Sequence, residues 1–170
     1  VVLDIQHLKV IGAKKVPAVN DFSLQVHKGE IVGIAGVDGN GQSELVHALS
    51  GLMPIAEGAV LLSGKDITKT SIRERNESGM GLVPEDRQKH GLVRQYTIAE
   101  NTIIKSYYKA PFQRHGFLHK NQMFSFAGDI TKQFEVRSGE GVYSAARNLS
   151  GGNQQKAILG REIALDPELL

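Results

Sequence analysis

The chain has 170 residues, 41% of them hydrophobic, enough for a sizeable core. Its 20 Lys/Arg and 18 Asp/Glu are interspersed, giving a net charge of +2, and no basic block with interleaved aromatics points to nucleic acid. The lack of cysteine excludes a disulfide framework and a thiolate metal site and suits the cytoplasm, while no apolar run reaches the roughly 18–20 residues of a membrane span.

From Val1 to Val26 the pattern is that of β-strands: Val1, Leu3 and Ile5 alternate with polar residues, as do Phe22, Leu24 and Val26. The polar stretch from Gly12 to Asn20, with Pro17, predicts a loop between them. His27 to Glu30 turns into Ile31, Val32, Ile34 and Ala35, a run apolar on both faces, as a buried parallel strand would be. Gly36, Val37, Asp38, Gly39, Asn40, Gly41, Gln42 and Ser43 follow, and the spacing is that of the phosphate-binding loop G-x-x-x-x-G-K-[ST] with glutamine at the lysine position. Glu44 to Ser50 reads as helix, with Gly51 as its C-terminal cap. A glycine-rich loop lets backbone N–H groups turn toward a polyphosphate, and the next helix adds free amides and the positive end of its dipole. Gln42 offers only a neutral donor where lysine would bring a charge, so weak nucleotide binding and poor hydrolysis are expected.

Gly58 to Leu62 and Gly64 to Ile67 read as a strand and its return, Ser71 to Glu77 as a solvated helix, and Gly79 to Pro84 as a short apolar strand ending before Glu85. Thr97 and Glu100 have capping-box spacing and predict a helix start. Lys109 to His119, holding Pro111 and Gly116, reads as loop. Met123, Phe126, Ala127, Ile130 and Phe134 recur at the period of an amphipathic helix over Lys120 to Phe134. Ser138 to Ala146 reads as loop. The last chemical stretch runs Asn148-Leu149-Ser150-Gly151-Gly152-Asn153-Gln154-Gln155-Lys156, with Ser150 and two glycines opening a helix that Asp166-Pro167 closes. This is a second helix start suited to anionic oxygens.

Leu149 to Gln154 resembles the signature motif L-S-G-G-x-Q of the ATP-binding cassette (ABC) ATPases. The order of elements is also similar: a β region, the phosphate loop, a strand ending near Glu85, a helical region and the signature. With Val83-Pro84-Glu85-Asp86-Arg87 and Gly91-Leu92-Val93, the chain most resembles the second, degenerate cassette of the tandem ATP-binding subunits of simple-sugar and nucleoside importers. The resemblance implies an α/β fold with a P-loop NTPase-type core sheet, an antiparallel β subdomain and a helical subdomain. Residues 1–92 would hold the β subdomain and P-loop core, 93–150 the helical subdomain, and 151–170 the signature helix leading toward a Walker B strand.

It further implies ATP and Mg2+ as cofactors. Gly36, Asp38, Gly39, Asn40, Gly41, Gln42, Ser43 and Glu44 would line one nucleotide site, and Ser43 and Glu85 would meet the metal. Ser150, Gly151, Gly152, Asn153 and Gln154 would complete the ATP site of a partner cassette. No aromatic residue between Val10 and Asn20 offers the adenine stack usual in the family. The implied partners are another cassette, N-terminal in the same native chain, and transmembrane permease subunits, at the cytoplasmic face of the membrane. The implied function is energy coupling in a sugar or nucleoside importer; the alternative is a nucleotide-responsive, non-hydrolytic dimerisation or regulatory module. A chain opening on Val1 is expected to be a piece of a longer one. The family's catalytic glutamate and switch histidine belong after Leu170, so these residues alone are expected to be inactive.

Overall fold

The computed structural model describes all residues, Val1 to Leu170, in two compact units: Val1–Met80 with Pro167–Leu169, and Gly81–Asp166 with Leu170. The first unit is built on a four-stranded sheet of order β2-β1-β3-β4, from β1 (Leu3–Ile11), β2 (Pro17–Val26), β3 (Glu57–Leu62) and β4 (Lys65–Asp66), antiparallel at every pairing. Leu3 and Ile5 face the core, but the next inward residues are Leu8 and Val10, so the alternation slips by one position. The slip is a bulge at His7, which has φ 49° and donates its N–H to Ser23 Oγ at 2.9 Å. Opposite it on β3 lies Gly58 at φ 93°, where an added Cβ would stand 2.5 Å from the carbonyl oxygens of Gln6 and His7. β2 begins at Pro17 itself, inside the stretch expected as loop, because proline is tolerated at the first residue of a strand. Val1 is exposed and lies outside β1, while Val2 is buried in its place.

Helix α1 (Gln42–Ser50) buries Leu45 and Ala48 and ends at Gly51, whose φ of 84° is the left-handed cap expected there. Helix α2 (Ile72–Glu77) opens with a capping box in which Ser71 Oγ accepts the Glu74 N–H and Glu74 accepts the Ser71 N–H. From this helix Arg75, only 3% exposed, donates to the Ala48 and Leu49 carbonyls at 2.6 Å each, to Thr68 O at 2.9 Å and to Thr70 O at 3.3 Å. A buried guanidinium thus satisfies the carbonyl end of α1, and burial holds its pKa below the ordinary arginine value.

The run Ile31 to Ala35 departs from expectation: residues 30–37 pair with no strand, and Ile31 is 98% exposed. A strand apolar on both faces becomes a strand only between neighbours, and residues 1–170 supply none for it. Gly79 to Pro84 likewise forms no full strand and contributes one parallel bridge, Met80 to Leu169.

The second unit is helical. Helix α3 (Ile98–Ile103) begins with the expected box between Thr97 and Glu100, α4 (Lys120–Gln133) buries Met123, Ala127 and Ile130, and α5 (Gly151–Ala164) follows Ser150. The segment expected as loop from Lys109 to His119 contains a hairpin of β5 (Gln113–Arg114) and β6 (Phe117–Leu118). Close packing of α4 and α5 depends on Gly160, where an added Cβ would come within 2.7 Å of Ile130 and 2.8 Å of Phe134. Below them Glu162, fully buried, accepts from Lys105 Nζ at 2.7 Å, Arg161 Nε at 2.9 Å and Leu82 N at 3.2 Å.

Candidate functional site: two helix N-termini for anionic oxygens

In the first unit the residues 36–43 form a loop that delivers the chain into α1. Gly39 and Gly41 hold φ at 85° and 95°, a region side chains avoid, and Gly41 packs so closely on the Ala18 carbonyl that no Cβ would fit. Asn40 N–H bonds Val37 O at 3.3 Å, closing the loop on itself. No side chain caps α1, so the amides of its first turn keep their capacity for an external acceptor. Gly36, Asp38, Gly39 and Asn40 are exposed around this end.

Gln42 folds back over the loop. Its Nε2 makes a long contact of 3.5 Å to Val37 O, and a methyl group at Gly36 would run into its side-chain amide. Gly36 is therefore small because the position-42 side chain occupies the space above it. Ser43 stands exposed in the first turn, and Glu44 adds a carboxylate beside it.

The second unit carries the other helix start. Ser150 is the N-cap of α5: its Oγ accepts from Asn153 N at 3.4 Å and from Asn153 Nδ2 at 3.0 Å. Both bonds use the oxygen as acceptor, which leaves the exposed hydroxyl its own proton to donate. Asn153 Oδ1 in turn accepts Arg137 N–H at 2.9 Å, so the first turn is tied to the preceding segment. Gln154, 4% exposed, donates to Ala146 O at 3.0 Å; it is a buried strut holding the approach to Ser150, rather than an open ligand. Gly152 is exposed with open space where a Cβ would go, whereas Gly151 faces Arg87, whose Nη2 would lie 2.7 Å from an added Cβ.

Arg87 is the residue that sequence reasoning left without a role. It opens a turn of π-helix, Arg87–Gly91, and its Nε is buried with no hydrogen-bond partner. Its nearness to Gly151 joins two segments far apart in sequence, which no periodicity announces. Asp86 caps the same turn by accepting the Gln88 and Lys89 amides at 3.0 Å each, and the Lys89 bond foremost holds its carboxyl below the ordinary aspartate value. Glu85 is exposed at the start of this segment. Ser43 belongs to the first unit and Glu85 to the second. No group of three or more His, Cys, Asp or Glu gathers as a metal site.

The family described as ABC transporter matches residues 19–170. The guanosine import ATP-binding protein NupO of Bacillus subtilis is 49% identical over 169 residues, and the nucleoside import ATP-binding protein NupA of Lactococcus lactis is 47% identical over 170. These alignments cover 99% and 100% of the chain but 33% of each relative, so the chain spans about a third of the length of the curated relatives it matches. Among solved structures, the ATP-binding cassette MJ0796 bound to ADP and Pi superposes with a TM-score of 0.77 over 97% of this chain and 70% of that one, at 21% identity. That likeness fixes the fold as the cassette fold expected, with an antiparallel sheet and a helical unit. With the family match spanning nearly its whole length, the chain belongs to the ABC transporter ATPase domains.

Proposed function

We propose that this domain couples ATP to import of a nucleoside or a simple sugar, working against a second cassette and transmembrane permease subunits at the cytoplasmic face of the membrane. The nucleoside-import relatives at 49% and 47% identity support the substrate class, with a ribose import protein of Bacillus licheniformis at 34% representing the sugar branch. In this reading the second cassette precedes this one in the native chain.

The residues present fit a nucleotide through the backbone. The uncapped first turn of α1 and the loop bent at Gly39 and Gly41 suit a polyphosphate, and Ser43 in that turn would offer a hydroxyl oxygen to its Mg2+. Bound ATP would supply the free energy of its hydrolysis. Gln42 leaves the pocket short of one cation, so it holds nucleotide weakly. The signature end is intact: Ser150 presents an O–H, and Gly151 and Gly152 present N–H groups, to a γ-phosphate on the partner cassette.

The observation that carries this reading is the outward-facing N-terminus of α5, where Ser150 is exposed with an unused hydroxyl proton and Gly152 borders open space. Replacing Ser150 by phenylalanine in the full transporter should abolish nucleotide-driven uptake of labelled solute; unchanged uptake would refute the assignment. Gln42 favours a second reading, a module that closes on nucleotide without hydrolysing its own. An intact acidic pair in the residues after Leu170 supports the first reading, a missing glutamate the second.

A further inference from the structure

The turn that carries Arg87 is docked on α5 at two places. Its last residue, Gly91, is buried against Ile158, whose Cδ1 would stand 2.5 Å from an added Cβ, and its carbonyl accepts Arg161 Nη1 at 3.0 Å. Within the turn Arg87 O accepts Leu92 N–H at 3.1 Å, and Asp86 caps the opening. The Arg87 side chain is thereby laid against the first turn of the helix. A Cβ added to Gly151 would meet Nη2 at 2.7 Å, Cζ at 3.2 Å and Nε at 3.5 Å, so the planar group covers this residue and glycine is what leaves it room.

This is an unfavourable place for a cation. The N-terminus of a helix is the positive end of its dipole, and arginine stabilises the opposite end. The carboxylate next in sequence, Asp86, does not compensate: it is turned to the Gln88 and Lys89 amides and, at 3.8 Å, to Lys89 Nζ. The first turn of α5 contributes no acid. Nε is buried with its N–H unmatched, although buried N–H groups are nearly always matched. Held in place by a docked turn and a glycine opposite, the guanidinium lacks an oxyanion at the start of α5.

Resting on the reading in which Ser150, Gly151 and Gly152 face a γ-phosphate, we propose that Arg87 adds a charged donor to that phosphate and makes this end discriminate triphosphate from diphosphate. A phosphate oxygen gives the guanidinium the acceptor it lacks, and its charge-assisted bonds exceed those of a neutral donor. The same anion relieves the repulsion between the cation and the helix start. An arginine kept for structure stabilises the resting protein. Here the resting protein carries the strain of an unmatched cation, and the phosphate-bound state recovers it.

Titrating the full transporter with AMP-PNP, a triphosphate analogue that resists hydrolysis, and with ADP, both in Mg2+, tests this. Arg87→Met keeps the length of the side chain and removes its charge. It should weaken AMP-PNP binding about tenfold, leave ADP binding within about twofold, and raise the unfolding temperature of the nucleotide-free protein by about 1–3 °C. Arg87→Lys, which restores a charge without the planar fork, should recover part of the AMP-PNP affinity. Unchanged AMP-PNP binding in Arg87→Met overturns the proposal. So does an equal loss for both nucleotides with a lower unfolding temperature, the mark of a structural arginine. Ser150→Phe tells the two failures apart. Selective loss of AMP-PNP binding in Ser150→Phe but not in Arg87→Met overturns the part given to the arginine alone, and no loss in either overturns both that part and the γ-phosphate reading.

Discussion

Gln42 and Arg75 show how single side chains set the properties of the glycine-rich loop and of the helix it feeds. The Gln42 amide lies over Gly36 in the loop, so a lysine in its place would put a full charge where a neutral donor now sits. Charged hydrogen bonds exceed neutral ones by about 1 kcal/mol or more, so Gln42→Lys should tighten ATP binding by this domain about fivefold, read by titration calorimetry. No gain would show that the loop does not place residue 42 against phosphate. At the other end of α1, Arg75→Met would strand the carbonyls of Ala48, Leu49, Thr68 and Thr70 without their donor. A loss of about 2–4 kcal/mol in denaturant unfolding is expected, because an unsatisfied buried acceptor costs more than a hydrogen bond gains.

Among the elements, two helix-interior glycines give opposite predictions. Gly160 of α5 is pressed against Ile130 of α4 and Phe134 at its C-terminal cap, and the methyl of Gly160→Ala would overpack that seam by about 1–3 kcal/mol despite better helix propensity. Gly128 of α4 faces open space, so Gly128→Ala should stabilise by about 0.5–1 kcal/mol. Thermal unfolding of the two variants checks both signs. The helices were legible in the sequence because their signals are local. The Thr97 and Glu100 box, the apolar stripe of α4 and the serine before Gly151 each act within a few residues. The helix from Ser71 to Glu77 is legible from its alternating charges, although the spacing of Ser71 and Glu74 also carries the capping box. The β5–β6 hairpin was missed because two-residue strands carry no alternation. The bulge at His7 depends on Ser23 and Gly58 in other strands, and the contact of Arg87 with Gly151 depends on two distant segments, so neither has a local signature.

At the scale of the whole molecule, the two anion-suited helix starts fall in different units, the α1 end in the first and the α5 end in the second. Both were legible as motifs, because glycine and serine at a helix start have a chemical reason to be there. Sheet membership was not legible for Ile31 to Ala35: an apolar run reports the wish to be buried and is silent on what will cover it. Ile31, Val32 and Ile34 stand in contact with solvent beside backbone groups that no ladder satisfies. Prepared by themselves, residues 1–170 should self-associate at micromolar concentration, and sedimentation velocity showing a clean monomer would contradict this. An uncovered ribbon of this kind is adhesive. Whatever first zips onto it, another strand or a copy of itself, decides between a completed sheet and a precipitate.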